Sequence, residues 1–135
     1  MSRILVIDDQ PHIRTIIHEL LSYDNHQIDC AENGKIGLML IRRQNYDLVI
    51  TDVIMPERDG LEVIKAIKTD FPDTRIIVMT GGATRIDAEN LLGMANAMGA
   101  DRALLKPLDF MKLQAAVREV LDSAYQSHNQ GVAHA

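Results

Sequence analysis

The sequence predicts an α/β fold, a doubly wound parallel sheet of five strands alternating with five helices. Three observations carry this. Short aliphatic runs recur along the 135-residue chain, four of them rich in Ile, Val and Leu. Apolar residues spaced three and four apart follow them, the mark of one helix face. The longest runs, such as Ile4-Leu5-Val6-Ile7, hold about four residues, far short of the ~20 that span a bilayer.

Taken in order, Ile4 to Ile7 reads as a strand buried on both faces. Ile13, Ile16, Ile17, Leu20 and Leu21 then mark a helix, with Pro11 in its first turn. His26 to Cys30 is a weaker strand. Asn33 is placed to cap a second helix carrying Ile36, Met39 and Leu40, although Gly37 weakens it. Leu48-Val49-Ile50 is the third strand, and after Gly60 a helix carries Leu61, Ile64 and Ile67. Ile76 to Met79 is the fourth, followed by a helix with Ala88, Leu91, Leu92, Ala95 and Met98 that Gly99 stops. Ala103-Leu104-Leu105 is the fifth. Leu108-Asp109 caps the last helix, which carries Leu113, Ala116, Val117, Val120, Leu121 and Ala124.

Strands alternating with helices lie parallel, with right-handed crossovers on both faces. One domain over residues 1–122 is expected. From Ser123 the chain turns polar, so residues 123–135 are expected to be a frayed helix end and a disordered tail. The core has to be aliphatic, because aromatics make up only 4% of the chain, without any Trp.

Composition excludes several functions. Fourteen Lys+Arg against 19 Asp+Glu give a net charge of -5, which argues against nucleic acid as a partner. A single cysteine, Cys30, excludes a disulfide framework and a multi-cysteine zinc site. No signal-peptide core or membrane span is legible, so a cytoplasmic location is expected and membrane is not a partner.

In such a sheet, ligands bind beyond the carboxyl ends of the strands. There stand Asp8 and Asp9 after the first strand, Asp52 after the third, Thr80 and Gly81 after the fourth, and Lys106-Pro107 after the fifth. Two like charges about 5 Å apart repel by roughly 3 kcal/mol at an effective dielectric of about 20. Lys106 offsets part of that, and a hard divalent cation such as Mg²⁺ suits the rest. Carboxylates, metal, hydroxyl and ammonium together suit phosphoryl transfer. Asp52, between the acid pair and the Thr/Lys pair, is the best candidate nucleophile.

Each residue alone has a plainer explanation. Asp8 or Asp9 would often cap a helix, Thr80 a turn, and Lys106 would be solvated. His12 and His18 are six apart, off the spacing that chelation favours. Cys30 reads as a small core or edge residue.

As an ordered set, Asp8-Asp9, Asp52 with Met55-Pro56 and Gly60, Thr80-Gly81, Gly99-Ala100-Asp101 and Lys106-Pro107 resemble the receiver domain of two-component response regulators. The likeness spans about residues 2 to 122. It implies the flavodoxin-like (βα)5 fold of chemotaxis-type regulators, strand order 2-1-3-4-5. It implies that Asp52 accepts a phosphoryl group from a histidine kinase or histidine phosphotransfer protein. Asp9 and Asp52 would bind Mg²⁺ (with Mn²⁺ able to substitute), Asp8 largely through water, and the Ile54 main-chain carbonyl would be a further ligand. Thr80 and Lys106 would hold phosphoryl oxygens, Gly81 would leave them room, and the Lys106-Pro107 bond would be cis, as only ~5–6% of X-Pro bonds are. Such a domain is a regulator rather than an enzyme, apart from self-catalysed transfer and autodephosphorylation.

Two departures matter. Ala103 stands where the family usually keeps a switching aromatic, so output is expected to rest on the Gly81–Asp87 loop and the fourth helix. Ile54 and Gly82 occupy positions that tune hydrolysis with opposing effects, so no phosphoryl lifetime follows.

The expected function is a stand-alone receiver acting on an unidentified downstream protein, as monomer or phosphorylation-dependent homodimer. The alternative is a receiver fragment with an output domain beyond Ala135. A metal-dependent aspartyl phosphatase is less favoured, because Ile54 replaces the second acid of Asp-x-Asp. A flavin carrier lacks the aromatics to sandwich its ring.

Overall fold

The computed structural model describes residues 2–53, 60–81, 93 and 95–133, with 123–133 by backbone alone. Strand β1 (Arg3–Ile7) leads to α1 (Pro11–Ser22), β2 (Gln27–Ala31), α2 (Gly34–Arg43), β3 (Leu48–Asp52), α3 (Gly60–Asp70) and β4 (Arg75–Thr80). Helical residues 95–98 (α4), β5 (Arg102–Leu105) and α5 (Phe110–Ala133) complete it. The strands pair in parallel in the order β2-β1-β3-β4-β5. The expected α/β class, five parallel strands with five helices in flavodoxin-like order, is the fold found.

Alternation along each strand sorts the core into two layers. Leu5, Ile7, Val49, Ile76 and Val78 pack with Leu38, Ile41, Val63, Ile64, Ile67 and Ala95 from α2, α3 and α4. Ile4, Val6, Leu48, Ile50, Ile77 and Met79 pack with Ile17, Leu21, Leu113, Ala116, Val117 and Val120 from α1 and α5. The inner strands are therefore apolar at every central position, which is why they read as continuous runs. Each such side chain contributes about 1.5–3 kcal/mol on full burial.

Helix ends follow local chemistry. Asn33 Oδ1 accepts from Ile36 N at 2.9 Å and caps α2. Asp109 Oδ1 accepts from Met111 N and Lys112 N at the start of α5. Gly99, at φ +82, ends α4, and Ala100 N donates to Ala95 O at 2.8 Å.

Four local expectations shift. Strand β2 runs one residue later than read, because Ile28 and Ala31 are its buried positions. In α2 the core stripe is Gly34, Gly37, Leu38 and Ile41, while Met39 is exposed. Gly37 centres that stripe: a Cβ there would stand 2.4 Å from Ile7 Cδ1, so the missing side chain lets α2 lie close on β1. In α3 Val63 is buried and Leu61 exposed, because the stripe runs Gly60, Val63, Ile64, Ile67. Finally, α5 stays helical to Ala133, where fraying was expected from Ser123. No proline interrupts that stretch, and each added residue extends the hydrogen-bond ladder.

Ala88, Leu91 and Leu92, assigned above to the fourth helix, lie outside the described residues.

Candidate functional site

The parallel order brings the C-terminal ends of β1, β3, β4 and β5 to one edge in that sequence. Asp8 follows β1, Asp52 ends β3, Thr80 ends β4, and Lys106 follows β5. Carboxylate oxygens of Asp8, Asp9 and Asp52 lie within 4.8 Å of one another. Asp8, Asp52 and Thr80 are buried, and Asp9 is exposed. Lys106 reaches across the sheet edge: its Nζ donates to Asp8 Oδ2 at 2.7 Å and to Asp52 Oδ2 at 2.8 Å. Burial disfavours the charged ammonium, but the hydrogen bonds to Asp52 and Asp8 outweigh it and raise its pKa.

Neighbouring backbone holds these groups in place. Asp8 N donates to Ala31 O, and Asp8 Oδ1 accepts from Gln10 N at 2.9 Å, an Asx turn into α1. Arg14 Nη1 donates to the Asp8 carbonyl at 2.7 Å. Gly60 N donates to Val53 O, and a Cβ on Gly60 would stand 2.2 Å from the Asp52 carbonyl oxygen. Only glycine lets α3 start this close to the end of β3. Lys106 N donates to Thr80 O at 2.8 Å, continuing the β4–β5 ladder. Gly81 leaves room for the Lys106 stem, since a Cβ there would meet Lys106 Cδ at 3.3 Å.

A cavity of about 710 Å³ opens over the cluster. Asp9, Gln10, Asp52, Gly81 and Lys106 form its polar side, and Ile13, Ile16, Leu108 and Phe110 an apolar wall.

The structure thus gathers Asp8, Asp9, Asp52 and Lys106, with Thr80 and Gly81 on the adjoining strand. The Lys106-Pro107 bond is cis. Ala103 of β5 pairs with Val78 of β4 and packs against the core. Ile54, Met55, Pro56 and Gly82, with the loop that continues to Asp87, lie outside the described residues. His12 is exposed and lines the cavity mouth. Sequence reasoning missed Gln10 and Arg14. Gln10 Oε1 accepts from Lys106 Nζ at 3.1 Å, and only its place two residues after Asp8 hinted at this.

The donor set fits a hard divalent cation. Three carboxylates stand together with one ammonium bonded to two of them, a set of oxygen donors of the kind such a cation takes. The edge thus holds carboxylates and an ammonium in contact, with Thr80 at the end of the adjoining strand.

Comparison with known proteins agrees with this geometry. The pattern of the response regulator receiver domain matches residues 4–118, and the chain belongs to that family, the receivers of two-component systems. The chain is 38% identical over 118 residues to the transcriptional regulatory protein ZraR of Klebsiella oxytoca. It is 38% identical over 120 residues to the DNA-binding transcriptional regulator NtrC of Azospirillum brasilense. These alignments cover 87% and 89% of this chain but only 26% and 24% of those proteins, so the chain spans about a quarter of their length. Among solved structures, a response regulator receiver domain protein from Clostridium thermocellum superposes with a TM-score of 0.81 at 30% identity, covering 93% of this chain and 98% of that one. TrrA from Thermotoga maritima, solved in complex with Mg²⁺-BeF, gives 0.74 at 36% identity, covering 89% and 99%. Among the described residues no helix is long and apolar enough to cross a membrane.

Proposed function

We propose that this receiver takes a phosphoryl group onto Asp52 and signals through phosphorylation-dependent protein contacts. The observation that carries the proposal is the Lys106 ammonium spanning Asp8 and Asp52, with Asp9 beside them. In the transfer, an Asp52 carboxylate oxygen bonds to phosphorus as the bond from phosphorus to a donor imidazole nitrogen breaks. The imidazole keeps that electron pair. Lys106 holds an equatorial oxygen of the phosphoryl group, and the Thr80 hydroxyl donates to another. Asp9 and Asp52 would hold Mg²⁺, with Asp8 acting largely through water and the Ile54 carbonyl as a further ligand. Mg²⁺ supplies charge neutralisation at the phosphoryl oxygens. Mn²⁺ substitutes for it.

The donor is a histidine kinase or a histidine phosphotransfer protein. The domain is a regulator that catalyses only its own phosphorylation and dephosphorylation. Residues 1–122 form the receiver unit, working in the cytoplasm as a monomer or a phosphorylation-dependent homodimer. The receiver of the signal is a separate protein or, because the two transcriptional regulators compared above are about three and a half times as long, an attached output domain. The source gene's stop codon separates the two.

The test is incubation with Mg²⁺ and acetyl phosphate, followed by intact mass. One phosphoryl group should be gained by the wild type and none by Asp52→Asn. Equal labelling of both would overturn the assignment.

A further inference from the structure

An ammonium has three N–H donors, and three acceptors surround Lys106 Nζ: Asp8 Oδ2 at 2.7 Å, Asp52 Oδ2 at 2.8 Å and Gln10 Oε1 at 3.1 Å. Its donors are therefore taken in this state. For Lys106 to take hold of an incoming phosphoryl oxygen while Asp52 is still a free carboxylate, one donor has to be released. The three acceptors are unequal. Asp8 and Asp52 are buried carboxylates, whose bonds to a cation are the stronger kind. Gln10 is neutral, its contact is the longest, and it stands at the exposed side of the cavity.

We propose that Gln10 is a placeholder on Lys106, competing with the phosphoryl group for the third donor and so setting the affinity of the site for it. The local geometry suits that role. Gln10 N is anchored on Asp8 Oδ1, so the side chain swings from a fixed backbone. Its amide makes no capping bond to α1 even though Gln10 is the N-cap residue. The side chain is thus free to leave Lys106 without disturbing the helix start. A neutral acceptor on a cation at a half-exposed site should weaken the competing ligand by a factor of about three to ten, or about 0.7–1.4 kcal/mol.

The inference rests on the phosphoryl-binding reading of the site, and its test separates the two. Beryllofluoride with saturating Mg²⁺ is the probe, followed by ¹⁹F NMR titration of the full chain. Gln10→Met keeps the length and removes the acceptor, so it should bind beryllofluoride about three- to tenfold more tightly than wild type. Gln10→Ala should do the same and guards against a misfolded single variant; thermal unfolding without ligand checks both. Gln10→Glu puts a charged competitor on Lys106 and should bind more weakly than wild type. The order Glu, Gln, Met in rising affinity supports the placeholder. Equal or weaker binding by both Gln10→Met and Gln10→Ala overturns it, because a residue that merely positions Lys106 gives that sign. A wild type that takes up no beryllofluoride overturns the site reading itself, and the placeholder with it.

Discussion

Lys106 and Asp52, 54 residues apart in the chain, form an ion pair with Nζ 2.8 Å from Oδ2. The same ammonium holds Asp8, which has no exposed surface. A buried carboxylate left unpaired is strongly destabilising, so β5 brings to this edge the charge that makes the acid cluster tolerable. The pairing is therefore structural before it is chemical, and its pH dependence reports on it.

Lys106 titrates above its ordinary 10.5 in the folded chain, its hydrogen bonds to Asp52 and Asp8 outweighing burial. A raised folded pKa contributes stability that is complete below the unfolded value and lost as pH rises through the folded one. Urea unfolding of wild type and Lys106→Met should therefore differ most between pH 7 and 10, and the gap should narrow above about pH 10.5. A gap independent of pH up to 11.5 would show that the ion pair contributes nothing to folding. Taking the difference between the two proteins cancels the other lysines and the tyrosines.

Much of this arrangement was legible in the sequence, and the reason is periodicity. Strands apolar at every position, such as Ile4 to Ile7, and acids at the ends of such runs follow from burial on both faces. The faces of α2 and α3 were less legible. Gly37 lies inside one stripe and Gly60 opens the other, and a residue without a side chain leaves no hydrophobic signal. Gln10 was invisible for another reason: its partner lies 96 residues away, and a glutamine after two aspartates has no pattern of its own.

Asp9 should separate metal binding from folding. It is exposed, and among the described residues its side chain carries no hydrogen bond or ion pair. Asp9→Asn removes a like charge within 4.8 Å of Asp8 and Asp52, so unfolding without metal should be at least as hard as for wild type. It should still raise the Mg²⁺ concentration needed for half-maximal thermal stabilisation by at least about tenfold, a loss of about 1.4 kcal/mol. Chelation with EDTA should then lower the melting temperature of wild type and leave the variant nearly unchanged. An undiminished Mg²⁺ response would remove Asp9 from the ligand set.

Gly60→Ala tests the closeness of α3 to the end of β3, where Asp52 stands. The added Cβ would meet the Asp52 carbonyl oxygen at 2.2 Å and Val53 Cα at 2.8 Å, and both are backbone atoms. A helix normally gains up to about 1 kcal/mol from Gly→Ala, but overpacking costs about 1–3 kcal/mol and backbone yields least. Net destabilisation is expected, with slower phosphorylation by acetyl phosphate at temperatures where the variant is still folded. Gly37→Ala is the control. Its clash is with the Ile7 side chain, Cδ1 at 2.4 Å and Cγ1 at 2.9 Å, so Ile7→Val, which removes the nearer atom, should recover part of the stability there and do nothing for Gly60→Ala. Recovery of both by Ile7→Val would mean that α2 and α3 shift together.

The boundary of the receiver is tested by shortening α5. The buried residues of this helix among those described are Leu113, Ala116, Val117 and Val120, with Leu121 packed beside them. All precede Ser123, and the family pattern ends at residue 118. The backbone beyond Asp122 continues as a helix for about three turns. Isolated helices of that length are marginal in water, because nucleation is unfavourable and each further residue adds only one hydrogen bond. A chain ending at Asp122 should therefore keep stability within about 1 kcal/mol of the full chain, with equal Mg²⁺ affinity and equal phosphoryl uptake. Circular dichroism should lose helical signal in proportion to the residues removed, since the remaining helix is held by the core and not by its extension. A truncated chain that binds Mg²⁺ normally but unfolds several degrees lower would place part of the fold's stability in residues 123–133 and move the boundary outward.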